Sequence, residues 1–487
     1  MDAEQVLGPF IDGLMRESTG DSEIDIINPS NGQRVLSATA GSEADVDRAV
    51  SSSRFAFEDG RWSDSPPSFR KRVLHRIADL IASEADALDA LDAAEMGKPV
   101  GEPVCNATTA ASLMHFYAEA SDKVMGDVYV SDKHSLVAQR RVPRGVVAAV
   151  VPWNFPTYVA VLKIAPALAA GNCVVLKPSE LSPRSALRLA DIAMRAELPP
   201  GVLNVVPGLG TTVGSALGLH RGVDMLTFTG STGVGKLMLQ YAGQSNLKVV
   251  LAECGGKSPH IVFSDSIDLA AVAQAIARML VLNQGQVCSL GSRLLVERSC
   301  EEELLAHLTA QFSNIVMGDA LNPSTTFGPL SSEKQCKRVM RYIELGHSDG
   351  AQLVSGGRRV LCETGGYFIE PTVFRAVPPT AKIAQEEIFG PVLSVLPFDD
   401  DTEAVRIANG TPFGLAAYVW TKDLSRGMRM ARGIRSSVRI NATAPNGEGA
   451  GFAASYEPTG QSGVGCEGGV AGMESYLRRQ RIWLNHG

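Results

Sequence analysis

No CxxC pair and no histidine cluster occurs in this chain of 487 residues. Its eight cysteines, Cys105, Cys173, Cys254, Cys288, Cys300, Cys336, Cys362 and Cys466, stand apart from one another. That spacing disfavours structural zinc and a disulfide scaffold, and it suits a reducing cytosol. No long basic run offsets the formal net charge of -7, which argues against a nucleic-acid or anionic-membrane partner. No basic-then-apolar leader opens the chain; Met1-Asp2-Ala3-Glu4-Gln5 is acidic, so a signal peptide is not expected. Internal repeats and low-complexity tracts are missing too. Residues 145–162 carry no formal charge and are long enough to resemble a membrane span. Pro152, Asn154 and Pro156 interrupt them, so a buried strand, a loop and a helix are expected instead.

What is present is a soluble, globular composition, 45% hydrophobic and 20% charged. The length calls for two or three domains. Residues 70–95 have the spacing of one long helix, stopped by Met96-Gly97-Lys98-Pro99. From residue 145 onward, short β-branched runs (145–151, 173–176, 202–206, 225–228, 248–251) alternate with helical stretches (157–170, 182–197). The alternation predicts a parallel sheet covered by helices, an α/β fold. A second α/β series follows. Asp268 can cap a helix whose Leu269, Val272, Ile276 and Met279 share a face. Later strands are expected at 293–296 and 392–396. Residues 441–472 are rich in Gly, Ala and Ser and read as loop, with a short strand or tail after them.

Three residues supply the parts of acyl chemistry through a covalent thioester. Cys288, in Asn283-Gln284-Gly285-Gln286-Val287-Cys288-Ser289, is placed like a nucleophile on a loop. Glu253 lies in Ala252-Glu253-Cys254-Gly255-Gly256-Lys257-Ser258-Pro259, and Asn154 in Pro152-Trp153-Asn154-Phe155-Pro156. A thiol, a carboxylate and an amide donor can capture a carbonyl and steady its oxygen. Two further segments suit a dinucleotide. Phe228-Thr229-Gly230-Ser231-Thr232-Gly233-Val234-Gly235-Lys236 follows a strand and opens a helix, where glycines admit a phosphate to the backbone. Lys177-Pro178-Ser179-Glu180 ends a strand, and its carboxylate can accept ribose hydroxyls while repelling a 2′-phosphate, which favours NAD over NADP. Each has a plain alternative when read alone: a buried structural thiol, a paired carboxylate, a turn asparagine, an ordinary glycine turn, a solvated charged turn.

Six segments, 152–156, 177–180, 228–236, 253–259, 283–288 and 386–392 (Glu386-Glu387-Ile388-Phe389-Gly390-Pro391-Val392), resemble the motifs of the NAD(P)-dependent aldehyde dehydrogenase superfamily, in its order and near its spacing. Residues 116–123 and the context of Glu253 look most like the γ-glutamyl-γ-aminobutyraldehyde dehydrogenases, with broad-range and betaine-aldehyde-type members close behind. The resemblance implies a Rossmann-type domain (1–121 and 144–254), a catalytic domain (255–455), and a small β oligomerisation arm with the C-terminal tail (122–143 and 456–487). It implies a cytoplasmic homodimer or homotetramer that uses NAD, or less readily NADP, without metal. It makes Cys288 the nucleophile, Glu253 the general base and Asn154 an oxyanion donor beside the backbone N–H of Cys288. Lys177 and Glu180 would hold the adenosine ribose. Gly210, Gly214, Ser231 and the Gly230–Gly235 turn, with Phe228 and Val234, would lie near adenine and pyrophosphate. Pro152 and Trp153 would border the cofactor, and Glu387 and Phe389 would hold the nicotinamide riboside.

The sequence departs from that pattern in places. Cys254 stands where the family often has Leu and reads as a small apolar substitute. Leu162 and Leu282 replace aromatics common along the substrate tunnel, removing cation–π contacts to an amine. Residues 451–460 (Gly-Phe-Ala-Ala-Ser-Tyr-Glu-Pro-Thr-Gly) replace the family's Pro-Phe-Gly-Gly-Tyr-Lys before Ser462-Gly463-Val464-Gly465, in a loop a few residues longer. Two competing readings follow: a CoA-acylating relative, which would need no water-activating base, and a binding or structural protein that has lost activity.

Overall fold

The computed structural model describes residues 7–266, 268–443 and 451–486. The N-terminal pentapeptide and part of the 441–472 loop, residues 444–450, lie outside the described residues. Five strands form a parallel core in the order Leu203–Val205, Cys173–Lys177, Val146–Val150, Met225–Thr229, Val249–Glu253. This is a doubly wound α/β sheet. Its centre, Val146–Val150, is buried at every position, as a strand covered on both faces must be. Short antiparallel strands close its two edges: Phe10–Ile11 on one side and Gly463–Val464 on the other.

A second sheet has the order Gln352–Ser355, Thr372–Arg375, Val392–Phe398, Arg293–Glu297, Pro259–Val262, Ala416–Trp420, Ser437–Ile440. All its pairings are parallel except that of Gln352–Ser355. A third, antiparallel sheet joins Asp127–Tyr129 and Ser135–Pro143 to the nine-residue Leu477–Asn485. It leaves Val130, Trp483 and Leu484 exposed. Among the described residues, no helix is long and apolar enough to cross a membrane. Residues 145–162 form a strand, a loop and the start of helix Pro156–Ala169.

Three local expectations are corrected. The single helix over 70–95 is two, Pro67–Ser83 and Ala85–Met96. Glu84 sits between them at φ -113°, ψ 17°, its carboxylate held by Arg188 and Arg195 of helix Arg184–Arg195. That tertiary pairing bends a segment whose local spacing is helical throughout. Gly97 ends the second helix at φ 86°, where the stop was expected. The 441–472 region is not all loop: Gly469–Glu474 is helical, and Gly463–Val464 pairs with Ala252 and Glu253. Residues 463–464, grouped by sequence with the arm, therefore edge the first sheet.

Candidate active site

In open parallel sheets, ligands collect outside the carboxyl ends where strand order reverses. Here the reversal lies between Val146–Val150 and Met225–Thr229. The loops leaving those ends open into a cleft of about 1450 Å³. The first sheet contributes Trp153, Asn154, Ser231 and Glu253, and the second sheet's segments contribute Cys288, Glu387 and Phe389. Cys288, Glu253 and Asn154, far apart in sequence, therefore share one cavity.

The Cys288 loop is held by its neighbours. After helix Leu269–Val281, capped by the Asp268 side chain as expected, Asn283, Gln284 and Gly285 take φ values of 45°, 57° and 70°. Left-handed backbone at non-glycine residues costs roughly 1–3 kcal/mol each, so surrounding contacts must impose it. They are visible. Asn283 Nδ2 donates to Asn154 O (2.7 Å), Gln286 Nε2 to Asn283 O (3.1 Å), and Ser331 N to Gln286 Oε1 (2.9 Å). Gly285 must be glycine: a Cβ there would lie 2.4 Å from Gly390 O. Asn154 Nδ2 donates to Gln286 O at 3.0 Å. A primary amide carries two N–H bonds, and the second meets no acceptor among the described residues.

Glu253 is the last residue of its strand, and its backbone O accepts from Gly230 N at 3.0 Å. Its side chain is 7% exposed. Burial, reinforced by the charge of Glu467 and opposed by Lys163, pushes its carboxyl up to about 9. The Cys288 thiol is pushed up to about 12 by burial, then by the charges of Glu387 and Glu253. It therefore rests protonated at neutral pH. Glu387 rises to about 7 through burial, although the Gly256 N–H (3.1 Å from Oε1), Arg338 and Lys257 pull the other way. Trp153 packs edge-on against Phe389, centroids 5.4 Å apart, and Gln335 Nε2 donates to Phe389 O at 2.6 Å.

The nucleotide-type residues divide into two groups. Pro152, Trp153, Glu180, Gly230, Ser231, Glu387 and Phe389 line the cleft. Ser231 caps helix Thr232–Gln244 by accepting from Val234 N (3.4 Å), and a Cβ on Gly233 would meet open space. The other five do not form the wall among the described residues. Phe228 is buried beneath Gly230, whose Cβ would lie 2.5 Å from its ring. Val234 is 37% exposed on its helix. Lys177 is buried, donates to Pro178 O (2.8 Å) and stands 3.7 Å from Glu180. Gly210 and Gly214 bound a π-helical turn behind it, and a Cβ on Gly214 would touch Lys177 at 3.8 Å.

Cys254 is 5% exposed in the apolar cluster with Phe228 and Met238, as a small apolar substitute should be. Leu162 and Leu282 line the cleft, as do Phe452, Ser455 and Tyr456 of the altered segment. Sequence reading passes over the charged pair behind Glu253, Lys163 and Glu467. One signal was available: Lys163 is a lone charge in the apolar stretch 157–170. Nothing near Glu467 marked it. Among the described residues, no group of three or more His, Cys, Asp or Glu could hold a metal.

Fold and cleft together define an α/β enzyme with a thiol in a nucleotide-type crevice. The model of the aldehyde dehydrogenase family matches residues 15–482. The chain is 42% identical to the NADP/NAD-dependent aldehyde dehydrogenase PuuC of Escherichia coli (strain K12), covering 98% of this chain and 95% of that one. Its structure is similar to a γ-glutamyl-γ-aminobutyraldehyde dehydrogenase from Burkholderia cenocepacia J2315 (TM-score 0.96, 45% identity, 99% and 97% of the two chains). It is also similar to an indole-3-acetaldehyde dehydrogenase in complex with NAD+ (TM-score 0.95, 44% identity, 98% and 96%). The chain belongs to the aldehyde dehydrogenase family, an oxidoreductase acting on the aldehyde group.

Proposed function

We propose that this chain oxidises an aldehyde to its carboxylic acid with NAD, through a thioester on Cys288 that water hydrolyses. The observation that carries the reading is the single cleft shared by Cys288, Glu253, Asn154 and the nucleotide-side residues. The cleft's chemistry fits a dinucleotide. An open glycine turn heads helix Thr232–Gln244, and a half-exposed carboxylate, Glu180, stands at the neighbouring strand end. Ser231 and Gly230 would take phosphate, Glu180 the adenosine ribose, and Glu387 and Phe389 the nicotinamide riboside. When bound, NAD supplies the hydride acceptor.

The chain's residues do the rest. Glu253 in its ionised form takes the Cys288 proton and passes it to solvent, and the sulfur adds to the aldehyde carbon as the carbonyl electron pair moves onto oxygen. The unshared N–H of Asn154 and the backbone N–H of Cys288 steady the oxyanion, each such donor being worth roughly 3–4 kcal/mol. Once hydride has left the carbon, the acyl group remains on Cys288. Glu253 in its ionised form takes a proton from water, which attacks the thioester. The adduct breaks its C–S bond and expels the thiolate, which takes the proton back from Glu253, and the acid departs. Glu180 favours NAD over NADP by repelling a 2′-phosphate. A cytoplasmic setting suits the eight free cysteines. The exposed apolar side chains of the third sheet support a homo-oligomer that covers them.

Cys288→Ala tests the reading. NADH formation should fall by at least about three orders of magnitude, since the variant removes the sulfur that forms the covalent bond. Full retained turnover would reject the assignment.

A further inference from the structure

The wall behind Glu253 contains a buried charge cluster tied to the segment that departs from the family pattern. Lys163 forms an ion pair with Glu467, their side chains 0% and 6% exposed. The other oxygen of Glu467 accepts from the Tyr456 hydroxyl at 3.0 Å. The two backbones also pair: Tyr456 N donates to Glu467 O (2.8 Å) and Glu467 N to Tyr456 O (3.0 Å). A Cβ on Gly468 would come 3.3 Å from the Tyr456 ring, so a glycine makes room for it. Tyr456 and Glu467 also line the cleft.

We propose that Tyr456 is a positioning residue for the hydrolytic step: its hydroxyl fixes the Glu467 carboxylate against Lys163 and so sets the charge that Glu253 meets. The inference rests on Glu253 being the base. Glu253 feels the charges of Lys163 and Glu467, and its own charge bears on Cys254, Cys288, Cys466, Tyr456 and Tyr476. Tyr117 and Tyr158 also feel Glu467. Burial holds these thiols and phenols above their ordinary values, so they stay neutral near neutral pH. Among the described residues, the ion pair in this wall is Lys163 with Glu467, and Glu253 holds its proton beside it near neutral pH. Glu467 makes Glu253 hold its proton more tightly and Lys163 does the reverse. A phenol that donates to Glu467 holds the carboxylate in place on Lys163. Without that hydroxyl, Lys163 is less fully neutralised. Glu253 then releases its proton at lower pH and becomes a weaker base.

Tyr456→Phe removes one oxygen and keeps the ring. Two readouts are needed: the pre-steady-state NADH burst, and kcat against pH. The burst should keep its rate and amplitude. The acidic limb of kcat should move to lower pH, and the plateau should fall roughly three- to tenfold, the scale of one hydrogen bond acting through a base. Glu467→Gln should move the limb in the same direction and further, and Tyr456→Phe should add nothing to it. A limb and plateau that match the parent protein overturn the proposal, as does a burst lost in parallel with turnover. So does an additional shift in the double variant. Should Tyr456→Phe fail to fold, an unmoved limb in Glu467→Gln overturns it alone. Glu253→Gln separates the two readings. If steady turnover survives there, the base assignment fails and the inference with it; if turnover stalls after the burst while Tyr456→Phe matches the parent, only the inference fails.

Discussion

On one side of the cleft, Glu180, Gly230 and Ser231 stand at strand ends and a helix N-terminus, in contact with water. On the other, Glu253, Lys163 and Glu467 are packed into a wall that is almost fully buried. On the proposed reading the first side works by geometry: backbone N–H groups and a half-exposed carboxylate stand open to a ligand, with the buried Lys177 3.7 Å behind that carboxylate. The second side, on the same proposed reading, works by protonation. Burial shifts the balance between neutral and charged forms by amounts that no surface site reaches. The nucleotide side should therefore tolerate loss of a charge, and the acyl side should not.

Glu253→Gln should show the largest contrast. Its amide can hold a water but cannot take its proton. Steady turnover should fall by roughly 10²–10⁴-fold while the first NADH equivalent still appears in a stopped-flow trace. In the unmodified protein, hydrolysis-limited kcat should rise with pH toward about 9, where Glu253 ionises. Stability should run the other way. The folded value lies above the ordinary 4.5, so the folded state binds the extra proton between them. The stabilising contribution is complete below 4.5 and is lost as pH rises through about 9. Chemical denaturation at pH 6 and pH 10 should show this loss, and Glu253→Gln should reduce it.

Gly285→Ala probes the geometry of the Cys288 loop. Its φ of 70° and the 2.4 Å approach to Gly390 O forbid a methyl without backbone movement. The expected cost is about 2–4 kcal/mol in denaturant unfolding, with a loss of kcat larger than any change in KM. Parent-like stability would mean that the loop is not under the constraint described.

Much of this layout was legible before any coordinates. The strands ending at Val150 and Lys177 announce themselves as apolar runs, because a strand buried on both faces has no polar side to disguise it. Ser231 and Asp268 cap helices by rules that act over three residues, so local sequence is sufficient for them. The missed features are all non-local. Lys163 and Glu467 lie 304 positions apart and meet only when helix Pro156–Ala169 and the C-terminal segment pack together. Glu84 bends its helix because two arginines of another helix claim its carboxylate. Gly463–Val464 completes a sheet whose other strands ended some 210 positions earlier, as the pairing of Glu253 with Gly463 shows. Lys177, Gly210, Gly214, Phe228 and Val234 show the opposite limit. Lys177, Phe228 and Val234 belong to segments that do reach the cleft, whereas Gly210 and Gly214 lie on a turn behind Lys177; a motif does not say which of its members form the wall and which support it.

Glu387 lies between the two sides, and its charge is the first electrostatic influence, after burial, that raises the Cys288 thiol. Glu387→Gln removes that influence. The thiol should then titrate at lower pH, seen as an earlier rise in the rate of iodoacetamide labelling across a pH series. Cys288→Ala supplies the background rate from the other seven cysteines. An unchanged labelling profile would mean that this carboxylate does not bear on the nucleophile.

The smallest effect belongs to Glu180. Its side chain is 41% exposed and its partner Lys177 is 3.7 Å away, so solvent screens much of its charge. Glu180→Gln keeps the shape and the acceptor oxygen while removing the repulsion toward a 2′-phosphate. The ratio of kcat/KM with NAD to that with NADP should fall by roughly three- to tenfold, mostly through a better KM for NADP, the scale expected of one partly screened charge. Turnover at saturating NAD should stay within about twofold, since nothing in the acyl wall has changed. If the variant instead lost kcat as deeply as Glu253→Gln does, the division between a geometric side and a protonation side would fail, because an exposed carboxylate would then be acting on the chemistry itself.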